Sequence, residues 1–171
     1  MHAYYLGGFF NNRYAIISDF ESKAIHNLDF DAIVVCGIGG LLFGPILAHT
    51  FSKELIVVRK PDDINNHSGS IIESRDLRKK FRYIFVDDLI AKGLTFAYVK
   101  MVLENFCPDG GCVGAFTYKG GTTIYDAGFL EIANTTVNRT YNNKIKEYKK
   151  IIKKSKTYNS FGCLVTSKDY V

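Results

Sequence analysis

The fold of this chain is decided by the stretch YIFVDDLIAKGLT, which runs from Tyr83 to Thr95. It opens with the apolar run Tyr83–Val86, which is typical of a central strand that is covered on both faces of a parallel sheet. Asp87 and Asp88 follow directly, and sheets of this class bind their ligands outside the carboxyl ends of the strands. We therefore expect both carboxylates to face a ligand crevice.

Behind the two carboxylates, a short loop leads into a predicted helix. We call it the phosphate loop, and it consists of Ala91, Lys92, Gly93, Leu94 and Thr95. Backbone N–H groups at the N-terminus of a helix are suited to binding phosphate, and a pair of carboxylates can accept hydrogen bonds from neighbouring sugar hydroxyls. The stretch therefore predicts a site for a sugar phosphate.

Strand and helix patterns alternate on both sides of this stretch. In chain order they predict a strand at Ala32–Cys36, a glycine-rich turn and helix to Phe51, a strand at Leu55–Val58, the strand Tyr83–Val86, a helix at Phe96–Phe106 and a strand at Cys112–Tyr118. Such alternation implies an α/β fold with a mostly parallel central sheet flanked by helices. Since no internal repeat or linker interrupts it, residues 1–171 are predicted to form a single domain.

Composition limits the class of protein. A chain of 171 residues with 47% hydrophobic residues can build one domain with its own core. Its formal net charge of +5 suits anionic ligands without requiring nucleic acid. No apolar stretch reaches the roughly 18 residues of a membrane span, and Met1–Tyr5 does not resemble a signal peptide, so we expect a cytoplasmic protein. The four cysteines form no Cys-x-x-Cys pair, which gives no support to a zinc site or a redox motif.

Two further segments each allow two interpretations. The polar segment Pro61–Lys80 is long for a connection, which is typical of a lid, although a hairpin or disordered excursion without a role is the alternative. The lysine-rich segment Asn142–Lys156 has the spacing of an amphipathic helix. Its lysines either form a solvated face or bind RNA, DNA or an acidic partner. The last apolar segment, Phe161–Thr166, is predicted to add an edge strand.

The stretch Tyr83–Thr95 resembles the phosphoribosyl pyrophosphate (PRPP) binding motif of type I phosphoribosyltransferases. That motif consists of a hydrophobic strand, two acidic residues, two apolar residues and a loop of small residues ending in Thr or Ser. This chain departs from it with Lys92 where the family usually has Thr or Ser, and with Leu94 where it usually has Gly. The resemblance implies that Asp87 and Asp88 are the catalytic pair and that the phosphate loop binds the 5'-phosphate of PRPP.

A second match lies in Gly40–Pro45, which is similar to the turn and helix start of adenine phosphoribosyltransferases. There the turn holds pyrophosphate, and a basic residue often precedes its last glycine, where this chain has Gly39. The resemblance therefore implies that the backbone amides of Ile38, Gly39 and Gly40 bind pyrophosphate. The alternative is that these glycines only allow close packing of strand and helix. They do not complete the G-x-G-x-x-G of a dinucleotide site, because position 42 is Leu.

Two further segments are similar to parts of the family that contact the pyrophosphate of PRPP. Val57–Pro61 is similar to a strand of adenine and orotate phosphoribosyltransferases that ends in two basic residues, so Arg59 and Lys60 are predicted to bind pyrophosphate. His67, followed by Ser68 and Gly69, resembles the mobile loop of orotate phosphoribosyltransferases. It is a candidate to close over the leaving group, although a histidine in a loop is often simply solvated.

Together these similarities imply transfer of ribose 5-phosphate from PRPP to a nitrogenous base, with release of pyrophosphate. They cover residues 32–118, and the family's hood over the base would come from residues 1–31 and part of 119–171. Magnesium is expected to be held through substrate and water, without a direct protein ligand. A homodimer is expected because the family commonly pairs.

The identity of the base is less well defined than the reaction. The similarity at Phe43–Pro45 favours a purine, that at His67 favours orotate, and we prefer a purine by a small margin. Two other functions stay open at this point. One is a non-catalytic regulator that binds PRPP or a nucleotide and uses the basic C-terminal helix to bind RNA. The other is a hydrolase of nucleotide or sugar-phosphate bonds.

Overall fold

The computed structural model describes residues 11–62, 70–74, 81–158 and 164–165. Its helices are α1 (Arg13–Phe20), which continues into a π-helical turn (Glu21–Ile25), α2 (Gly37–Thr50), α3 (Leu94–Phe106), α4 (Ala127–Thr140) and α5 (Asn142–Lys154). Its strands are β1 (Ala32–Cys36), β2 (Glu54–Val58), β3 (Ser70–Glu73), β4 (Arg82–Asp87), β5 (Gly111–Thr117), β6 (Thr123–Asp126), β7 (Lys156–Tyr158) and β8 (Leu164–Val165).

These strands form one sheet in the order β6-β5-β4-β1-β2-β3-β7-β8. The four central strands β5, β4, β1 and β2 are parallel, whereas β6, β3 and β8 each pair antiparallel with a neighbour. The central strands are apolar because both of their faces are covered, and every residue of β1 is buried. The predicted α/β fold, with a mostly parallel sheet flanked by helices, is confirmed. Since the central strands are parallel, their carboxyl ends meet at one edge of the sheet.

Two hydrophobic cores lie on opposite faces of the sheet, and β1 contributes to both. Ile33 and Val35 pack with α1 and α2, whereas Val34 and Cys36 pack with α3, α4 and α5. This alternation follows from the two-residue period of a strand. The helices therefore form one layer on each face and leave the carboxyl edge of the sheet for the connections that follow the strands.

Most predicted elements agree with the observed ones to within about two residues, which is the usual uncertainty of element boundaries. The exception is α2, which begins at Gly37, so the predicted turn Gly37–Gly40 is the first turn of the helix. The edge strand predicted in Phe161–Thr166 is present as β8. The predicted lid Pro61–Lys80 contains β3, which pairs antiparallel with β2, so this part of the segment is a strand of the sheet and not a loop. Residues 63–69 and 75–80 lie outside the described residues. The C-terminal helix ends at Lys154, two residues earlier than predicted, and Lys156 begins β7.

The segments that flank the predicted core pack against the faces of the sheet. Phe20 of α1 contacts Phe116 of β5 edge-on, with ring centroids 5.0 Å apart. On the other face, Tyr148 of α5 contacts Tyr98 of α3 at 4.9 Å. The hood stays a prediction, and residues 1–10, which would belong to it, are not among those described. No helix in the described part of the chain has both the length and the apolar character needed to cross a bilayer.

Candidate functional site

Strands β1 and β4 are neighbours in the sheet, and the connections that follow them lie side by side. The connection after β1 is the turn Gly37–Gly40, which we call the glycine turn and which also forms the first turn of α2. A Cβ atom at Gly40 would lie 2.7 Å from the Val86 carbonyl oxygen and 2.8 Å from Val35 Cβ, so only glycine fits there. This close approach brings the glycine turn onto the carboxyl end of β4, where the two acidic residues lie.

Asp87 is the last residue of β4 and its side chain is buried, with 7% of the residue exposed. Its Oδ1 accepts a hydrogen bond from the Asp88 backbone N–H at 2.9 Å. Burial raises the pKa of Asp87 to about 6, although the Asp88 N–H and the Lys60 ammonium act in the opposite direction. Asp87 is therefore ionised at neutral pH but lies close to its titration range. Asp88 is half-buried beside it.

Both carboxylates lie directly against the glycine turn. A Cβ atom at Gly39 would be 2.4 Å from Asp87 Oδ1 and 2.5 Å from Asp88 Oδ1, distances at which one of the groups would have to move. Gly39 does not have a positive φ, so glycine is required at this position by space and not by backbone conformation. The backbone at Gly39 is therefore in direct contact with the two acids.

The phosphate loop lies on the other side of Asp87. Gly93, with φ of +70°, is the N-cap of α3, which begins at Leu94, so the last two residues of the phosphate loop lie in the first turn of the helix. The first backbone hydrogen bond of α3 runs from the Ala97 N–H to the Gly93 carbonyl oxygen, at 2.9 Å. The N–H groups that precede Ala97 in the first turn of the helix therefore have no intrahelical acceptor. A cavity of about 280 Å³ adjoins the loop, lined by Phe85, Asp87, Leu89, Ile90, Ala91, Lys92, Gly93, Leu94, Thr95 and Phe96. All five predicted residues of the phosphate loop and one of the two carboxylates therefore line the same cavity.

The predicted basic residues separate into different environments. Lys60 approaches the glycine turn, since a Cβ atom at Gly37 would lie 3.0 Å from Lys60 Nζ, and its charge lowers the pKa of Asp87. Arg59 instead forms an ion pair with Glu73 of β3, donating from Nε at 2.8 Å and from a terminal nitrogen. His67 lies outside the described residues. The structure thus brings Lys60, but not the Arg59 guanidinium, to the carboxylates.

Tyr118 is a site residue that the sequence interpretation missed. Its hydroxyl donates a hydrogen bond to the Gly39 carbonyl oxygen, and its backbone N–H and that of Lys119 donate to the Asp88 carbonyl at 3.3 and 2.8 Å. Only 3% of Tyr118 is exposed, and burial, with smaller contributions from the charges of Asp88 and Asp87, raises the pKa of its hydroxyl. The hydroxyl therefore stays protonated and acts as a donor. Its position just after β5, beside the carboxyl end of β4, was the signal that could have identified it.

The arrangement combines three chemical capabilities at one edge of the sheet. Two carboxylates can accept hydrogen bonds, two helix starts offer backbone N–H groups, and one lysine adds positive charge. The described residues contain no group of three or more His, Cys, Asp or Glu side chains that would hold a metal ion by itself. This set of groups suits a ligand that carries both hydroxyls and phosphates.

The two sequence relatives described here are both named adenine phosphoribosyltransferase. The chain is 32% identical over 106 residues to an adenine phosphoribosyltransferase from Bifidobacterium animalis subsp. lactis, a match that covers 55% of this chain and 53% of that protein. It is 34% identical over 102 residues to the adenine phosphoribosyltransferase of Bifidobacterium adolescentis, covering 53% of this chain and 51% of that protein. The chain thus spans about half the length of the relatives it matches. No family model matches the sequence.

Among solved structures, the adenine phosphoribosyltransferase of Saccharomyces cerevisiae, complexed with an imino-altritol bisphosphate and adenine, is similar with a TM-score of 0.49. It is 23% identical, and the match covers 63% of this chain and 66% of that one. The sequence relatives confirm the resemblance that was predicted from the motif around Asp87 and Asp88.

Proposed function

We propose that this chain, which resembles the type I phosphoribosyltransferases in sequence, transfers ribose 5-phosphate from PRPP to a nitrogenous base and releases pyrophosphate. One observation carries the proposal: the buried carboxylate of Asp87 and the phosphate loop line a single cavity at the carboxyl edge of the sheet. A pentose that carries a 5'-phosphate has hydroxyls for the carboxylates and an anion for the loop. The geometry therefore suits both ends of a phosphoribosyl group.

In the proposed reaction, a ring nitrogen of the base forms a bond to C1 of the ribose and gives up its proton to water, while the bond from C1 to the pyrophosphate oxygen breaks. Positive charge develops on the sugar ring in an oxocarbenium-like transition state. Asp87 and Asp88 accept hydrogen bonds from the ribose hydroxyls and place negative charge close to the ring. The amides of the phosphate loop fix the 5'-phosphate, so the sugar is oriented without covalent help from the protein.

The leaving pyrophosphate belongs on the side of the glycine turn. Lys60 provides positive charge there, and the amides of Ile38, Gly39 and Gly40 are its backbone donors. Arg59 can contribute through the guanidinium N–H groups that Glu73 does not engage, or after its ion pair with Glu73 opens. The carboxylate oxygens of Asp87 and Asp88 fit the water shell of a magnesium ion that is held through substrate oxygens and water, and such an ion would neutralise charge on the pyrophosphate.

Adenine is the proposed acceptor. Both sequence relatives described above carry the name adenine phosphoribosyltransferase, which favours the purine expected from Phe43–Pro45 over orotate. The homodimer, the cytoplasmic location and the role of His67 stay predictions.

The test is to incubate the full chain with PRPP, magnesium and a panel of bases, and to measure pyrophosphate release. We expect release that depends on adenine. The double variant Asp87→Asn with Asp88→Asn should lower it by at least about 100-fold, since it removes charge stabilisation at the reacting ring. Asp109→Asn, at an exposed carboxylate outside the site, is the matched control and should keep full activity.

Three results would contradict the proposal in different ways. Release of pyrophosphate without any base would indicate a hydrolase. Binding of PRPP, measured by calorimetry, without turnover of any base would indicate a non-catalytic regulator. Unchanged turnover in the double variant would remove the two carboxylates from the mechanism.

A further inference from the structure

Helix α5 carries an unusual share of the charge of this protein. It contains six lysines and one glutamate, a net charge of +5, and the formal net charge of the whole chain is also +5. The rest of the chain is therefore balanced, with equal numbers of acidic residues and of lysines and arginines. The net positive charge of the protein therefore equals that of one helix of 13 residues.

Five of the six lysines of α5 lie on the side of the helix that faces away from the core. Ile145, Tyr148 and Ile152 are buried against the layer that contains α3. At 100° per residue, the other side presents an arc of about 140° that extends about 12 Å along the axis. We call this the lysine face, and it consists of Lys146, Lys149, Lys150, Lys153 and Lys154, all exposed.

No negative charge compensates the lysine face within the described part of the chain. Glu147, the only acidic residue of α5, lies outside the arc and pairs with Lys144 at 2.9 Å. None of the five ammonium groups of the lysine face forms an ion pair with a described residue. These charges repel one another, so a row of anions brought against them would relieve the repulsion.

We propose that the lysine face binds the phosphate backbone of double-stranded nucleic acid. Counting both strands, a duplex carries one negative charge per roughly 1.7 Å of its axis, or one per roughly 3.4 Å on each strand, so about four phosphates of one strand lie along the 12 Å that the face covers. Five ammonium groups on a rigid helix are complementary in charge density to such a row. The helix is already folded and packed on the core, so no ordering of the chain opposes binding.

The same geometry argues against two other anionic partners. An amphipathic helix that binds a bilayer inserts its apolar face, but the apolar face of α5 is occupied by the core. Single-stranded nucleic acid is usually held by stacking of its bases on aromatic side chains, and the lysine face has none, because Tyr148 is buried. Lysines bind phosphates as point charges without reading the bases, so the proposed binding is independent of sequence.

The test measures binding of the full chain to a fluorescent duplex of about 20 base pairs, as DNA and as RNA, by fluorescence anisotropy. Each phosphate contact contributes about −0.9 to the slope of log affinity against log salt, so four to five contacts predict a slope near −4. Between about 50 and 200 mM salt the affinity should fall by more than about 100-fold. Changing all five lysines to glutamine should reduce the slope by at least about 3.

Two controls separate charge from structure. A variant with arginine at the same five positions keeps the charge and should bind as the wild type does. Thermal melting of the glutamine variant should match that of the wild type, since all five side chains are exposed. No residue of the proposed PRPP site is changed, so the outcome does not depend on the proposed catalytic function.

Any one of three results would overturn the inference. The first is a glutamine variant that binds the duplex with the same salt dependence as the wild type. The second is tighter binding to phosphatidylserine vesicles than to the duplex, which would indicate a membrane surface. The third is stronger competition by polyglutamate than by unlabelled duplex, which would indicate an acidic protein partner.

Discussion

The glycine turn and the phosphate loop occupy equivalent places in the fold but are built in opposite ways. Each connects a central parallel strand to the helix that follows it, and both lie at the carboxyl edge of the sheet. After β1 the helix starts at once, at Gly37, so the chain is drawn close to the strand ends. After β4, residues 88–93 come before the helix, and the chain bends outwards around a cavity.

This difference assigns separate tasks to the two connections. The short glycine turn leaves no room for a side chain at Gly39, so it can contribute only backbone groups, and it holds both carboxylates in place by contact. The longer phosphate loop leaves space for a ligand and exposes the start of a helix to it. In the proposed function, the turn therefore acts mainly by positioning the acids, whereas the loop binds phosphate directly.

Gly39→Ala is expected to have the largest effect on the arrangement of the glycine turn and the carboxylates. The added methyl group would meet Asp87 Oδ1 and Asp88 Oδ1 at about the distances given for the Cβ atom, so the two carboxylates must move away from the ribose. Because a misplacement of about 1 Å can cost about 100-fold in rate, we expect kcat/KM for PRPP to fall by at least that factor. The measurement is pyrophosphate release under saturating adenine.

The matched control is Gly111→Ala, at a strand residue where a Cβ atom would have no neighbour within 4 Å. It should leave turnover unchanged. If Gly39→Ala were equally active, the glycine turn would not hold the carboxylates, and the distinction between the two connections would fail.

The second prediction concerns the cost of keeping Asp87 charged. Its pKa is raised from 3.8 to about 6 by burial, so the folded state favours the neutral acid. Folding with a neutral Asp87 is therefore fully favourable below pH 3.8, the pKa of this group in the unfolded chain. This contribution to stability is lost as the pH rises through about 6, the pKa in the folded protein. Above that pH the ionised group costs about 3 kcal/mol, and Asp87→Asn should raise the free energy of unfolding by up to this amount at about pH 8.

Urea denaturation at about pH 8 and about pH 4 checks this expectation, since the gain should disappear at the lower pH. The exposed Asp109→Asn should unfold like the wild type at both. Activity should show the opposite dependence, with kcat/KM of the wild type falling below about pH 6 as Asp87 is protonated. An Asp87→Asn variant that is less stable than the wild type at pH 8 would show that the carboxylate is stabilised by its surroundings and not strained by them.

The sequence correctly predicted those features of the structure that depend on residues close together along the chain. Ala32–Cys36 and Tyr83–Val86 are β-branched and apolar because they are buried on both faces, and their positions were predicted to within a residue or two. The placement of Asp87 beside the phosphate loop followed in the same way, because one connection carries both. The presence of β8 also followed from a local apolar run.

What could not be predicted depends on contacts between distant parts of the chain. The ion pair of Arg59 with Glu73 was not expected, because Glu73 belongs to β3, a short strand that the polar composition of its segment conceals. The extent to which Asp87 is buried is set by packing of the glycine turn, which no local pattern encodes. Tyr118 was missed because the carbonyl group that it binds, that of Gly39, lies 79 positions away in the sequence.

Tyr118→Phe is expected to have the smallest effect, and it tests how far one hydrogen bond holds the glycine turn in place. The change removes the hydroxyl that ties the Gly39 carbonyl to the end of β5, but it keeps the edge-on contact between the ring and Phe43. We expect the free energy of unfolding to fall by about 1 kcal/mol. If the glycine turn then loosens, kcat should fall by roughly 10-fold, about 1.4 kcal/mol, with a smaller change in KM for PRPP, because positioning of the acids matters most in the transition state.

The matched control is Tyr98→Phe, which removes a buried hydroxyl that has no hydrogen-bond partner among the described residues. Since no bond is lost, that variant should be as stable as the wild type or slightly more stable, with turnover unchanged. Equal kinetics in the two variants would mean that the hydroxyl of Tyr118 contributes only to folding. The glycine turn would then be held in place by its other contacts, among them those with the carboxylates and with Val86.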